Sequence, residues 1–107
     1  MTDLLGNQIN RYPLITARLA AANSAAFVIS TEAGYTSVTI TAHGLSAGES
    51  IPIQIQAEDD SWGDASTVGG VDVEVTYSAN TITLSGVGKY RVAKGVTTLP
   101  TSVTLYR

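Results

Sequence analysis

Cysteine is absent from this 107-residue chain, which excludes disulfides, thiolate metal sites and cysteine nucleophiles, and leaves the redox compartment unreadable. Charge is scarce: 14% of residues are Asp, Glu, Lys or Arg, against roughly 25% in an average soluble domain. A surface so poor in charge is often spent on contact with neighbouring subunits. Ser and Thr take the vacant places, and Thr is also a good strand former. There is one histidine, His43. A Ser-His-Asp set stays open by composition, but His43 sits in a turn and no local spacing builds a triad around it. No apolar run approaches the ~18 residues of a membrane-spanning helix, so no membrane partner is expected. Residues 1–6 lack a basic region ahead of an apolar stretch, and no signal peptide is read there. The net charge of −3 and a few basic residues not interleaved with aromatics argue against a nucleic-acid partner.

What is present is alternation. Ile51, Ile53, Ile55 and Ala57 fall on one side of a strand over residues 50–57, with Pro52, Gln54 and Gln56 on the other. Val71, Val73, Val75 and Tyr77 repeat the pattern against Asp72, Glu74 and Thr76, and Val38, Ile40 and Ala42 against Ser37, Thr39 and Thr41. Shorter runs follow at 81–85, 89–93 and 101–106, with Phe27-Val28-Ile29 ahead of them all. Turn signals recur every 8–12 residues, as in an antiparallel β-sandwich or small barrel. The expected fold is one all-β domain of about seven or eight short strands. Ile53, Ile55, Val73, Val75, Leu84, Tyr90 and Val103 should line its core.

Residues 1–24 read differently. Residues 1–12 have no clear period, Pro13 stops any incoming helix, and 16–22 is long enough for only a marginal helical turn or two. The expected organisation is therefore an N-terminal arm over 1–24 and a β-domain over 25–107. Leu4, Leu5, Ile9 and Tyr12 have nothing nearby in sequence to cover them, which makes them candidate partner contacts; a frayed terminus is the plainer reading.

Charge is segregated along the chain. Residues 19–88 hold eight acids and no base, whereas Lys89, Arg91, Lys94 and Arg107 follow with no acid. Either the two stretches form complementary poles that guide assembly, with Lys89 and Lys94 as contacts, or distant strands neutralise each other within one domain. The acidic turn 58–64 lacks the Asp-x-Asp-x-Asp-Gly spacing of a calcium loop and is read as a solvated hairpin tip. Trp62, inside it, could stack on a sugar ring or anchor an interface; the preferred reading has it closing one end of the sandwich. No catalytic residue, cofactor or metal ligand is assigned.

Five segments carry a family resemblance: Ile53-Gln54-Ile55-Gln56, Asp60-Ser61-Trp62, Thr83-Leu84-Ser85-Gly86, Gly88-Lys89-Tyr90-Arg91-Val92 and the closing run from Ser102 to Arg107. With the turn 43–48, they resemble small bacteriophage virion proteins, most of all the head decoration (cement) proteins of icosahedral capsids. The resemblance covers about residues 49–107 and maps no functional residue position by position. It implies a non-enzymatic β-domain on the virion surface, bound to the major capsid protein, in symmetric clusters such as dimers or trimers. The alternative is a carbohydrate- or receptor-binding module of a head or tail fibre, with Trp62 and neighbouring tyrosines as its platform.

Overall fold

The computed structural model describes residues 11–30, 37–66 and 73–106. Leu4, Leu5, Ile9, Val71, Asp72 and Arg107 lie outside them. The described residues form ten strands: β1 (Arg11–Arg18), β2 (Ala22–Asn23), β3 (Phe27–Ile29), β4 (Ser37–His43), β5 (Ser50–Gln56), β6 (Trp62–Asp64), β7 (Glu74–Thr76), β8 (Thr81–Ser85), β9 (Gly88–Lys94) and β10 (Thr101–Tyr106). They build two antiparallel sheets, one ordered β1-β10-β4-β8 and the other β2-β9-β5-β6, with β3 also on β9 and β7 also on β5.

β2 and β3 are thus two pieces of one edge along β9, and β6 and β7 two pieces of one edge along β5. Counted so, eight strands in chain order run 1-8-3-6 in one sheet and 2-7-4-5 in the other. That is the connectivity of a jelly roll, in which two Greek keys fold a long antiparallel ribbon into two facing sheets.

Alternation dictates what fills the space between the sheets. Ile51 and Ile53 of β5, Val38, Ile40 and Ala42 of β4, Val92 of β9, and Val103 and Leu105 of β10 are buried, while their chain neighbours face out. Of the seven core residues expected from sequence, Ile53, Val75, Leu84, Tyr90 and Val103 are buried; Ile55 and Val73 are half-buried and pack against the same core. Phe27 and Tyr90 face each other across β3 and β9, their rings stacked at 6.0 Å. Pro52 has no N–H to donate, and pairing of β5 with β9 begins just past it, at Ile53 opposite Val92.

Three expectations are corrected. The arm does not extend to residue 24: Arg11 to Arg18 pair with β10, and Ala22–Asn23 pair with β9. The reason is tertiary. Two register shifts, on either side of Ile15, break the period of β1, so one buried side chain replaces a readable alternation. Tyr77 does not face inward, because β7 ends at Thr76 and Tyr77 is 57% exposed in the following loop. Trp62 is in a strand, not a turn. The turn closes earlier, where the Ala57 amide donates to the Ser61 carbonyl and Asp60 takes a positive φ of 70°, a conformation that Asp tolerates better than most residues.

Candidate functional site

Because successive strands run in opposite directions, alternate connections meet at one end of the sandwich. Loops 19–21, 44–49, 77–80 and 95–100 share that end. Each is short; side chains tie 19–21 and 44–49 to 95–100, and a backbone bond ties 77–80 to 44–49.

Lys94 is the central tie. Period-2 alternation along β9 puts it on the inward side with Tyr90 and Val92, and it is only 3% exposed. Its ammonium cannot stay buried without acceptors. It donates to the carbonyls of Leu19 and Ala20, both at 3.0 Å, and of Gly95 at 2.8 Å. Burial pushes this lysine below its ordinary range, Glu49 pulls the other way, and the Arg18 charge pushes it further down. The Thr97 amide adds a bond to the Leu19 carbonyl at 3.0 Å.

Glu49 is the second tie. Its two carboxylate oxygens accept from the Ser46 amide at 2.8 Å and the Thr98 amide at 3.0 Å, joining loop 44–49 to loop 95–100. Those two N–H bonds, the Ser46 one foremost, hold its carboxyl below the usual carboxylate range, with help from the Lys94 charge. The Ser46 and Thr98 hydroxyls meet at 2.8 Å, and the Tyr77 amide reaches the Glu49 carbonyl at 3.3 Å. Beneath them the Thr101 hydroxyl, fully buried, lies 3.0 Å from both Thr97 Oγ1 and the Leu99 carbonyl. Gly44 completes the junction: its φ is 100°, and a Cβ there would collide with the Pro100 carbonyl.

On these fastened loops sit Leu19, Tyr77, Val96 and Leu99, exposed at 49%, 57%, 77% and 52%. They are four of the seven large apolar side chains that stand exposed among the described residues, the others being Tyr12, Val28 and Val87. Apolar side chains held out on a rigid frame are what a protein-binding surface requires, since little ordering entropy is lost on docking.

The residues singled out from sequence do not converge on one site. Trp62 lies half-buried on the outward face of β6, and the Arg91 guanidinium carbon sits 4.5 Å from its ring centroid. It therefore does not close an end of the core, as expected; β6 is an edge strand and its indole lies over the outer face of the sheet. Arg91 Nε also donates to Gln54 at 2.8 Å, and Gln54 to Asp64 at 3.3 Å. Lys89 is exposed on β9 opposite Val28, and Tyr12 is 40% exposed on β1 opposite Leu105. Lys94, taken as a surface contact, is interior. Among the described residues two of the bases lie close to acids of the other stretch: Arg91 and Asp64 both bond to Gln54, and Lys94 lies near enough to Glu49 for each to shift the other's pKa. His43 ends β4, exposed, opposite Ser102. In the acidic turn, the Asp59 carboxylate accepts from the Ser61 amide and hydroxyl at 3.1 and 2.6 Å, and so serves the hairpin tip.

The signal for Lys94 was available, since carrying the Tyr90-Val92 period one step further turns it inward. Nothing in the sequence marks Leu19, Val96 or Leu99 as neighbours, because the jelly-roll connectivity alone brings residues 19 and 97 together. Comparison with family models, with curated proteins and with solved structures finds no match for this chain.

Proposed function

We propose that the chain is a non-enzymatic structural protein of a phage particle, a decoration (cement) protein that seats on the assembled coat protein and stiffens the shell. The observation that carries this reading is the loop end: Leu19, Tyr77, Val96 and Leu99 stand exposed on loops that Lys94 and Glu49 hold in place. The low charge of the chain, a jelly-roll sandwich of the kind many viral shells employ and the resemblance of residues 49–107 support it. Fold alone does not, because jelly rolls also serve lectins and enzymes. In this reading the loop end meets the coat, and the protein resides on the virion surface.

The second reading, a glycan- or receptor-binding module of a head or tail fibre, has one observation in its favour. Trp62 lies on the outer face of a sheet, flanked by the planar polar groups of Arg91, Gln54 and Asp64. One face of its ring already carries the Arg91 guanidinium, so a sugar would have to displace that contact or use what remains of the indole.

The test is co-sedimentation of the purified protein with undecorated capsids of its phage. Saturable binding, unchanged by added saccharides, is the expected result. Absence of binding, with saccharide-dependent shifts in Trp62 fluorescence, would replace the first reading with the second.

A further inference from the structure

Among the described residues, one strand edge of the sandwich carries no feature that blocks pairing. Along β1, Pro13, two register shifts and the terminal Arg11 and Arg18 spoil the edge for any incoming strand. The opposite sheet ends in short pieces of two or three residues, β2 and β3 on one side and β6 and β7 on the other, with Asp64 and Glu74 among them. β8 is different. Its five residues, Thr81-Ile82-Thr83-Leu84-Ser85, contain no proline, no glycine and no charge, and they pair with β4 in unbroken register.

The ladder geometry shows which backbone groups β4 leaves unused. The Ala42 amide donates to the Asn80 carbonyl at 2.9 Å, one step before Thr41 pairs with Thr81. Hydrogen-bonded pairs alternate in an antiparallel ladder. The N–H and C=O groups of Ile82 and Leu84 therefore point to β4, and those of Thr81, Thr83 and Ser85 point away from it. Beside this edge lies an open groove of about 460 Å³ between the two sheets, with Ile55, Ala65, Val73, Leu84 and Tyr90 among its walls.

We infer that β8 is the interface of a two-fold dimer of this chain, joined by antiparallel pairing of β8 with its copy, Thr83 opposite Thr83. The strand is complementary to itself in that register. Thr81 meets Ser85 on the outer face, and Ile82 meets Leu84 on the inner face. No charge opposes its like across the axis, which would disfavour such a contact. The three facing pairs each exchange two backbone bonds, so the groups that point away from β4 are all satisfied. The joined sheet has eight strands, and the two open grooves flank the axis. This inference does not rest on the capsid reading, and the two are tested on different observables.

The experiment is sedimentation equilibrium of the full chain, with far-UV circular dichroism as the check on folding. The wild type is expected at twice 11.1 kDa. Thr83→Pro removes an N–H that β4 does not use and is tolerated on an edge; it should give a folded monomer. Thr83→Lys and Thr83→Glu should each be monomeric alone, through like-charge repulsion on the axis, and should form a dimer when mixed. A monomeric or trimeric wild type would overturn the inference, as would a folded Thr83→Pro variant that keeps the wild-type mass. If Thr83→Pro does not fold, the Lys and Glu pair decides: recovery of the dimer on mixing supports the interface, and failure to recover it refutes it.

Discussion

Replacing Lys94 with methionine keeps the length and apolar stem of the side chain and removes the ammonium. Three carbonyls, of Leu19, Ala20 and Gly95, then lose the donor that gathers them. A hydrogen bond from a charged donor contributes about 1.5–3 kcal/mol, so three set a ceiling near 4.5–9 kcal/mol. Two effects lower it: the charge costs several kcal/mol to bury, and residues 19 and 20 are already exposed, so water can replace the lost donor at their carbonyls. A net loss of about 2–4 kcal/mol is expected, a large share of the ~5–15 kcal/mol that holds a domain together. At roughly 4–8 °C per kcal/mol for a domain near this size, the thermal midpoint should fall by about 8–30 °C. Urea denaturation followed by circular dichroism should show a lower midpoint with an unchanged slope. Amide exchange at Thr97, whose N–H reaches the Leu19 carbonyl, should accelerate most. Burial of an unneeded charge makes the opposite forecast, since an apolar isostere of such a group is often neutral or stabilising. A Lys94→Met protein as stable as the wild type would refute the claim that this ammonium fastens the loops. Charge reversal at Lys94 would therefore perturb folding before binding.

Glu49 has a folded-state pKa below its unfolded value, so its contribution is fully present above the unfolded pKa of about 4.5 and is lost as pH falls through the folded one. Wild-type protein should thus lose stability over Glu49→Gln as pH drops from about 5 toward 3, and thermal melts across that range that run parallel for the two would contradict the bridging role. Ile53→Ala should cost about 2–5 kcal/mol, as for a fully buried large-to-small change, while the half-buried Ile55 should cost less and Gln54→Ala, on the outer face, little. Equal losses at Ile53 and Gln54 in denaturant titrations would mean that the facing of β5 is wrong.

Much of this fold was legible because most strands have one wet face. β4, β5, β8, β9 and β10 show the period of two directly, and their buried positions follow from it. β1 was not legible, because its register shifts leave Ile15 as its one buried residue and its pairing depends on β10, some ninety residues away. β6 was hidden by its composition: Trp-Gly-Asp after three acids looks like a turn, and only the bonds between Ala57, Asp60 and Ser61 show how early the turn closes. The loop end lies further from sequence still. Lys94 looked like surface charge because lysine usually is, and its burial depends on carbonyls supplied by a loop more than seventy residues earlier.

The capsid reading places its weight on which surface meets the shell, and a pair of double variants tests that directly. Val96→Asp/Leu99→Asp puts charge on the loop end, and Val28→Asp/Val87→Asp puts the same charge on exposed valines elsewhere. Both should stay folded, since all four side chains stand exposed and none belongs to the buried core. Affinity for undecorated capsids, measured by co-sedimentation, should fall at least ~tenfold for the loop-end pair, equivalent to about 1.4 kcal/mol, and stay within error of wild type for the other. Equal affinities for the two variants, or the larger loss in the Val28/Val87 pair, would contradict the assignment of the loop end as the docking surface.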